Sequence, residues 1–407
     1  MRTFLYKIII LLVTSSAYAE PILVSKVAGK MEHDFKVVNN NIVVFNNTCN
    51  QALVTLKLLL NTGNNFKQST VQGKVPAKYR NGYVADLNND GIDDIFAVGQ
   101  SNCYRDINDI RLQAPNYLIM SEPNGYYSVM LDGKSNSHGG AIGDIDNDGD
   151  LDLVATHMND VSNNIKSVVA WYNNGYGTFS KRKILLGNSD YDANNILLVD
   201  WDYDGDLDLI TSGYPGTVSF RISFNKNGTF SEWKSVGKHI HHTYWLGAKD
   251  YNNDGLIDII RASGKHIAEG WEGGIITLYK NTGTSFEEHT INQGNEYKGE
   301  APWIRWIHTV DLNNDGNKDF MVDVDGKLNT WLDNNTFPHV YINHLDNFKK
   351  LPSTKNHWSN IKDNHNGKGY MMFSPIYMGS RLSIAYFTMH FYGPQKGIFL
   401  NILPFKG

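Results

Sequence analysis

The strongest constraint on the fold of this chain is a nine-residue acidic pattern, D-x-[DN]-x-D-G-x-x-D, which occurs five times. The copies begin at Asp86, Asp144, Asp200, Asp250 and Asp311. Consecutive copies lie 58, 56, 50 and 61 residues apart, a period typical of propellers and solenoids. We therefore expect a repeat architecture, in which one domain extends well beyond the usual size.

Each copy carries oxygen-bearing side chains at positions 1, 3, 5 and 9 of the pattern, and the backbone carbonyl of position 7 adds another oxygen. Calcium suits this set because it accepts about six to eight oxygen ligands in flexible geometry, whereas zinc prefers nitrogen or sulfur. The simpler alternative is a set of Asn/Asp/Gly turns that only reverse the chain. About five calcium sites are predicted, with these ligands: Asp86, Asn88, Asp90, Ile92 and Asp94; Asp144, Asp146, Asp148, Asp150 and Asp152; Asp200, Asp202, Asp204, Asp206 and Asp208; Asp250, Asn252, Asp254, Leu256 and Asp258; Asp311, Asn313, Asp315, Asn317 and Asp319.

The residues that follow the acidic loops predict strands rather than helices. Short β-branched or aromatic runs come directly after each loop, such as IFAVG from Ile95 and LITSG from Leu209. A second pattern, an apolar pair followed by an Asn/Gly turn and an aromatic residue, ends at Phe179, Phe230, Phe286 and, in a weaker form, Phe337. Asn-Gly turns between apolar runs indicate hairpins, so each repeat predicts a four-stranded antiparallel blade.

The two patterns together resemble the FG-GAP and VCBS repeat family, whose members form calcium-bearing β-propellers like the integrin α-subunit head. The resemblance covers five units between Asn81 and Phe348. It implies an all-β fold, a β-propeller of four-stranded antiparallel blades with calcium-binding hairpin loops that hold one rim rigid.

The number of blades is estimated from the length of the repeat. Upstream of the five units, LLLNTGNNF ends at Phe66 and carries only the second pattern. Downstream, DNHNG from Asp363 lacks the later aspartates, and the strand-like FSPIYMG and SIAYFTMHFYG follow. Seven blades are expected, with metal-free first and last blades, while six or eight remain alternatives.

The first 19 residues predict a cleaved secretory signal. Arg2 and Lys7 precede an apolar run, and Ala17-Tyr18-Ala19 is a typical cleavage site. We therefore expect residues 20–407 to form a single propeller domain, secreted to the periplasm or the extracellular space, monomeric and without a membrane span. The net charge of -5 becomes more negative once the two cations are removed, which argues against nucleic acid as a partner.

Two cysteines, Cys49 and Cys103, occur in the whole chain. In an oxidising compartment they either pair as a disulfide or remain two buried thiols.

Three stretches before the acidic loops contain residues that a strand-and-turn scaffold does not explain: SNSHGG, HIHHTYW and APWIRWIH. Aromatic faces stack on sugar rings, and arginine or histidine pairs with hydroxyls or uronic carboxylates. Candidate ligand-binding residues are Trp245, Trp303, Arg305 and Trp306. The alternative for each tryptophan is a packing role between blades.

Two functions follow from these residues. The first is a binding module, a lectin-like or adhesin-like propeller that recognises a glycan or an extracellular protein. The second is a polysaccharide-degrading lyase, which needs a base, a cation and an acid around a uronic acid. Speculative catalytic residues for the lyase are His138, His242, Tyr244, Arg305 and His308.

Overall fold

A computed structural model describes most of the chain. The described residues are 22–25, 32–47, 53–63, 65–76, 80–99, 115–131, 137–160, 165–181, 183–186, 192–214, 218–237, 242–267, 270–292, 303–325, 339–345, 347–351, 368–378, 381–390 and 397–404. These residues form strands, turns and loops, without any helix. The predicted all-β fold is therefore confirmed.

Six four-stranded antiparallel sheets follow the first strand, β1 (Ile22–Ser25), in chain order, and each is built from one continuous segment. Blade 1 contains β2 (Glu32–Val38), β3 (Asn41–Asn47), β5 (Lys57–Asn61) and β6 (Phe66–Thr70), accompanied by the short pair β4 (Leu53–Val54) and β7 (Val75–Pro76). Blade 2 contains β8 (Asn81–Ala85), β9 (Asp94–Val98), β10 (Tyr117–Glu122) and β11 (Gly125–Met130). Blade 3 contains β12 (Gly140–Gly143), β13 (Asp152–Asp160), β14 (Ile165–Trp171) and β15 (Lys183–Leu186).

The next three blades repeat the same arrangement. Blade 4 contains β16 (Asp192–Val199), β17 (Asp208–Tyr214), β18 (Phe220–Ser223) and β21 (Lys234–Val236), with the small hairpin β19 (Asn225–Lys226) and β20 (Thr229–Phe230) inserted. Blade 5 contains β22 (His242–Lys249), β23 (Asp258–Ile267), β24 (Gly270–Asn281) and β25 (Phe286–Thr290). Blade 6 contains β26 (Trp303–Val310), β27 (Asp319–Asp325), β28 (His339–His344) and β29 (Asn347–Lys350).

A composite sheet closes the structure. It contains β30 (Lys368–Met378), β31 (Arg381–His390), β32 (Gly397–Pro404) and, at its edge, β1 from the start of the chain. The expected seven blades are corrected to six, because six blades are each one continuous segment, whereas the remaining four-stranded sheet combines strands from both ends of the described chain. Pairing the first strand with the last removes two exposed strand edges.

The sheets are arranged in a ring. From blade 2 to blade 6, the first strands of neighbouring blades contact each other. The first strand of blade 6, β26, contacts β30 of the composite sheet, and β30 contacts β2 of blade 1. Blades 1 and 2 share one apolar cluster, which includes Val43 and Leu58 of blade 1 and Ile95 and Ile119 of blade 2. The first strands are therefore innermost, and the predicted β-propeller of four-stranded antiparallel blades is confirmed.

The apolar core is divided among the junctions between blades. Separate clusters lie between successive blades, and the second strand β9 is buried along its whole length. A strand that packs on both faces needs apolar residues without alternation, which explains the continuous β-branched and aromatic runs after the acidic loops.

The hairpin pattern was located correctly in three of its four blades. In blade 6 the predicted turn before Phe337 lies outside the described residues, and the β28–β29 hairpin uses YINHLDNF, which ends at Phe348. In blade 2 the corresponding hairpin turns at Pro123 and Asn124. Upstream, LLLNTGNNF forms the predicted hairpin between β5 and β6. The segment from Asp363 lies outside the described residues, whereas Phe373–Met378 of the first strand-like run lies in β30 and Ser383–His390 of the second lies in β31.

Candidate functional site: acidic loops at one end of the inner strands and a polar ring at the other

All five acidic loops lie at the same end of the ring. In blades 2 to 6 the loop connects the inner strand to the second strand, so that position 1 follows the inner strand and position 9 begins the second. In blade 1 this connection is instead a two-residue turn, Asn39 and Asn40. Blade 1 therefore has no acidic loop, as the sequence predicted for the first blade.

The backbone of each loop depends on two left-handed residues. The glycine at position 6 has φ between 82° and 95° in all five loops, which agrees with the role expected for it. Position 4 also has positive φ: 58° at Asn89, 61° at Asn147, 60° at Tyr203, 60° at Asn253 and 59° at Asn314. Asparagine adopts this conformation more readily than most residues, and the recurrence of asparagine at position 4 was the signal that the sequence analysis left unused.

The carboxylate at position 1 organises each loop from within. In the first loop Asp86 accepts hydrogen bonds from the backbone N–H of Asp90 over 3.1 Å and of Gly91 over 2.8 Å. The position 5 carboxylate accepts the backbone N–H of position 7, over 2.8 Å from Ile92 to Asp90. Equivalent bonds to position 1 and position 5 occur in the other four loops. These bonds hold the carboxylates of positions 1 and 5 against the backbone of their own loop.

The aspartate at position 9 is buried in every loop and binds backbone on both sides. Its Oδ2 accepts the N–H of position 2 and its Oδ1 accepts an N–H from the third strand or the segment that follows it. Asp152, for example, accepts from Ile145 over 3.1 Å and from Asn173 over 2.8 Å. Position 9 therefore fastens the loop to the blade, in addition to any role as a ligand.

Burial raises the pKa of these carboxyl groups. The pKa of Asp152 is raised to about 7 and that of Asp208 to about 6, chiefly by desolvation; the two backbone hydrogen bonds oppose the rise, and neighbouring aspartates add to it. The pKa values of Asp94, Asp258 and Asp319 are raised by the same cause. Burial, with a smaller contribution from neighbouring carboxylates, thus disfavours ionisation of the aspartate at position 9.

The donor set fits a hard cation best in two of the loops. Carboxylate oxygens of Asp144, Asp146 and Asp152 lie within 4.8 Å of one another, as do those of Asp200, Asp202 and Asp204. Asp200 Oδ1 is buried without a hydrogen-bond partner in the described part of the chain. In the other three loops position 3 is an asparagine, whose Nδ2 donates to the position 5 carboxylate over 2.8–3.2 Å. The loops therefore divide into two with more charge and three with less.

The asparagine of the hairpin pattern joins neighbouring blades, a role that the sequence analysis missed. Asn173 Nδ2 donates to the carbonyl of Leu87 in the preceding blade over 2.8 Å and to that of Leu151 in its own loop over 3.0 Å. Asn225 and Asn343 reach the position 2 carbonyl of the preceding loop in the same way, each over 2.9 Å. The two repeated patterns therefore act together. The acidic pattern forms the loop of one blade, and the asparagine of the hairpin pattern bonds that loop to the following blade.

A set of polar residues lies at the opposite end of the inner strands. It occupies the position six residues before each loop and consists of Arg80, His138, Asn194, Tyr244 and Arg305, hereafter the polar ring. In blades 4, 5 and 6 this residue is a β-bulge, shown by a register shift between its two neighbours. Bulges redirect side chains and are common beside binding sites.

Side chains of the polar ring meet across blades. His138 Nδ1 lies 2.9 Å from Asn194 Oδ1, so Nδ1 donates and Nε2 remains the acceptor nitrogen. The pKa of His138 is lowered to about 3 by burial and by the charge of Arg80, and the hydrogen bond to Asn194 opposes this. His138 is thus a neutral imidazole near a guanidinium. Alignment of the repeats on their loops would have revealed Arg80 and Asn194, which the sequence analysis omitted.

The remaining predicted residues are placed as follows. His242 is buried at the start of β22, Tyr244 is half-buried with its pKa raised by burial, and His308 is half-buried in β26. Trp245 packs against the apolar cluster between blades 5 and 6, the packing role weighed as its alternative. Trp303, Arg305 and Trp306 lie in β26, but their side chains, like Cys49 and Cys103, are outside the described part of the structure.

A bulge in β26 interrupts the regular alternation of side chains between the two faces of the strand. Regular alternation along a strand would place Trp303 and Arg305 on one side and Trp306 and His308 on the other. The register shifts between Ile304 and Trp306, and Ile304 and Ile307 both pack into the cluster between blades 5 and 6. One extra residue at Arg305 reverses the alternation after it.

Comparison with known proteins finds a matching repeat family for two segments of the chain. Residues 144–211 and 250–322 match the family model of the FG-GAP-like repeat. The crystal structure of polysaccharide lyase Uly1 is similar in fold, with a TM-score of 0.50 and 10% sequence identity over 91% of this chain and 89% of that one. No curated protein matches the chain. No helix in the described part has the length and apolar character needed to cross a membrane.

Proposed function

We propose that this chain, a protein of FG-GAP-like repeats, is a calcium-stabilised β-propeller that binds an anionic glycan at its polar ring. The observation that carries the proposal is the separation of two chemistries along the inner strands. The acidic loops lie at one end, whereas Arg80, His138 and Asn194 lie at the other. An anionic ligand is repelled by the first end when it is metal-free and attracted by the second.

Calcium binding is supported by the donor set and not by an observed ion. The loops offer carboxylate, amide and carbonyl oxygens, which are the ligands that calcium prefers. When bound, the cation neutralises the carboxylates that otherwise repel one another. Asp144, Asp146 and Asp152, with Asp200, Asp202 and Asp204, would form the two most highly charged sites.

Glycan binding is supported by the chemistry of the polar ring. Arg80 supplies a cation for a uronic carboxylate, and neutral His138 and half-buried Tyr244 supply hydrogen-bonding groups for hydroxyls. Asn194 fixes the imidazole of His138 in one orientation. Because this side chain is already ordered, less conformational entropy is lost when a ligand binds to it.

The proposed protein is a secreted monomer. Residues 1–19 would be removed as a signal peptide, and residues 20–407 would form the single domain. The mass of the mature chain recovered from the periplasm and the culture medium tests the cleavage, because removal of residues 1–19 fixes the expected mass. A secreted chain that retains Met1 would contradict the cleavage.

A polysaccharide lyase is the second candidate. The likeness in fold to polysaccharide lyase Uly1 favours it, as does the occurrence of a histidine, a tyrosine and two arginines at equivalent positions of the polar ring. The lowered pKa of His138 makes this residue a weak base, and burial keeps Tyr244 in its neutral phenol form. Binding is therefore the better-supported function, and Tyr244 would act as an acid rather than a base in a lyase.

One experiment separates the two functions. The calcium-loaded protein is applied to an array of uronic-acid and neutral glycans, and the same glycans are incubated with it while the absorbance of unsaturated products is followed. Binding to uronic glycans without new absorbance supports the binding module, and new absorbance supports the lyase. Binding to neither class, or equally to neutral glycans, contradicts the proposed anionic site.

Matched variants locate the ligand. Arg80→Gln should weaken binding about tenfold or more, the effect of losing one charge-assisted hydrogen bond. Lys249→Gln is the control, because Lys249 is exposed at the loop end of its inner strand. Equal weakening by both changes would indicate a general charge effect and contradict a site at the polar ring.

A further inference from the structure

The side chain at position 4 of a loop reaches the next blade in the four junctions between blades 2 and 6. Asn147 of the second loop donates to Asp206 Oδ1 of the third loop. Asn253 of the fourth loop donates to Asn317 Oδ1 of the fifth over 3.0 Å. These two contacts join position 4 of one loop to position 7 of the next.

The other two junctions use the same position with different partners. Tyr203 Oη, in the third loop, accepts the backbone N–H of Ile257 in the fourth loop over 2.6 Å. Asn89 Nδ2, in the first loop, donates to the carbonyl of Gly175 in blade 3 over 3.1 Å. Three of these contacts therefore join one acidic loop to the next, and the contact of Asn89 joins the first loop to the hairpin of blade 3.

Position 4 lies between two predicted ligands, and position 7 is itself one. Asn147 stands between Asp146 and Asp148, in the left-handed conformation that the loop requires. Its partner Asp206 is position 7 of the third loop, whose backbone carbonyl is a predicted ligand. The Asp206 carboxylate also accepts the backbone N–H of Asn227 over 2.9 Å. Ordering of the second loop thus positions a ligand of the third.

We propose that the second to fifth acidic loops form one coupled array, in which cation binding to one loop strengthens binding to the next through position 4. This rests on the proposed calcium binding. An ion bound by Asp146 and Asp148 fixes the backbone between them, so that Asn147 holds Asp206 in place before the third loop is occupied. The third loop is then already partly ordered, so it loses less conformational entropy when the second ion binds. This is a source of positive cooperativity.

The direct test is a calcium titration of the metal-free full chain by isothermal titration calorimetry. The test variant is Asn147→Gly, which removes the amide and keeps the left-handed backbone without strain. The control is Asn227→Gly, since Asn227 is also left-handed and exposed, and its backbone N–H to Asp206 is retained. We expect a Hill coefficient above one for the unchanged chain and for the control, and a lower value for Asn147→Gly.

The third loop also has its own reporter. Its position 2 is Trp201, whereas the other loops have no tryptophan within their nine residues. Terbium bound in the third loop should therefore luminesce on tryptophan excitation, and Trp201→Phe provides the blank. Asp148→Ala should weaken terbium binding to the third loop by about 5- to 10-fold, and it should have no further effect in a chain that carries Asn147→Gly.

The outcomes separate coupling from calcium binding. If calcium binds with a Hill coefficient of one and Asn147→Gly titrates like Asn227→Gly, the coupling is wrong and the calcium sites stand. If neither calcium nor terbium binds, the proposed calcium binding is wrong and the coupling falls with it. Should Asp148→Ala fail to fold, Asp148→Asn gives the same comparison with a smaller change.

Discussion

Asn173 Nδ2 donates to the carbonyl oxygen of Leu87 over 2.8 Å, which joins the hairpin of blade 3 to the acidic loop of blade 2. The residues are 86 positions apart in the chain. The contact is buried and recurs at Asn225 and Asn343. A repeated asparagine therefore contributes to the order of the blades, and not only to the turn in which it lies.

Loss of this contact should destabilise the fold. Asn173→Ala removes the donor to two carbonyls, so the free energy of unfolding should fall by about 1–3 kcal/mol, the usual effect of an unsatisfied buried group. Thr178→Ala, an exposed change in the same turn, is the control. Urea unfolding followed by fluorescence measures both. Equal midpoints for the two variants would show that the cross-blade bond contributes nothing.

Calcium should raise the thermal midpoint, and Asp204→Ala should reduce that gain. Asp204 belongs to one of the two three-carboxylate clusters, so its loss removes a ligand where the charge is densest. Scanning calorimetry with and without calcium gives the increment for each protein. Glu232→Ala is the control, since Glu232 is exposed in the same blade but outside the loop. A calcium increment unchanged by Asp204→Ala would exclude the third loop as a site.

The increase in thermal midpoint that calcium produces should shrink as the pH falls from about 7 to about 5. The folded pKa of Asp152 is about 7 and that of Asp208 about 6, both above the ordinary value of 3.8. The metal-free folded state therefore holds more protons than the unfolded state in this range and becomes less stable as the pH rises through it. Calcium binds the ionised form, so its effect grows with pH. Protein passed over a chelating resin provides the metal-free reference at every pH.

Asp152→Asn isolates the contribution of that group. The amide does not titrate, so the metal-free variant should lose less stability than the original between pH values of about 5 and 7. Thermal midpoints of both proteins across this range make the comparison. Parallel pH profiles would contradict a raised pKa at Asp152.

Protonation of His138 should destabilise the folded protein as the pH falls, which is opposite to the effect of the raised aspartate pKa values. Its folded pKa of about 3 lies below the ordinary 6.5, so its contribution is fully present above about 6.5 and is lost as the pH falls towards 3. At pH 5 the loss is about 2 kcal/mol. His138→Gln removes the titrating group, and its unfolding free energy should fall less between pH 7 and 5. A variant as acid-sensitive as the original would contradict a neutral imidazole at this position.

The sequence predicted the blades because their signals are local. The acidic pattern sets a loop, the continuous apolar run after it sets a strand buried on both faces, and the Asn/Gly turn sets a hairpin, each through chemistry confined to a few residues. The β28–β29 hairpin of blade 6 was not predicted, although Tyr341–Phe348 carries turn residues before an aromatic residue, as Trp331–Phe337 does.

The candidate site was less predictable, since its residues are equivalent only in space. Arg80 and Asn194 carry no motif, and the bulges at Asn194, Tyr244 and Arg305 reverse the alternation that a sequence reading assumes. Trp245 was indistinguishable by type from a ligand-binding tryptophan, although it packs between blades.

The sequence by itself determined the β-propeller architecture, the five acidic loops and their oxygen donors, because these depend on residue types at fixed short spacings. The tertiary structure decided which loops carry three converging carboxylates, how β1 closes the ring beside β32, and which residues meet at the ends of the inner strands. Those properties depend on contacts between blades, and such contacts join residues that lie about a repeat or more apart in the chain.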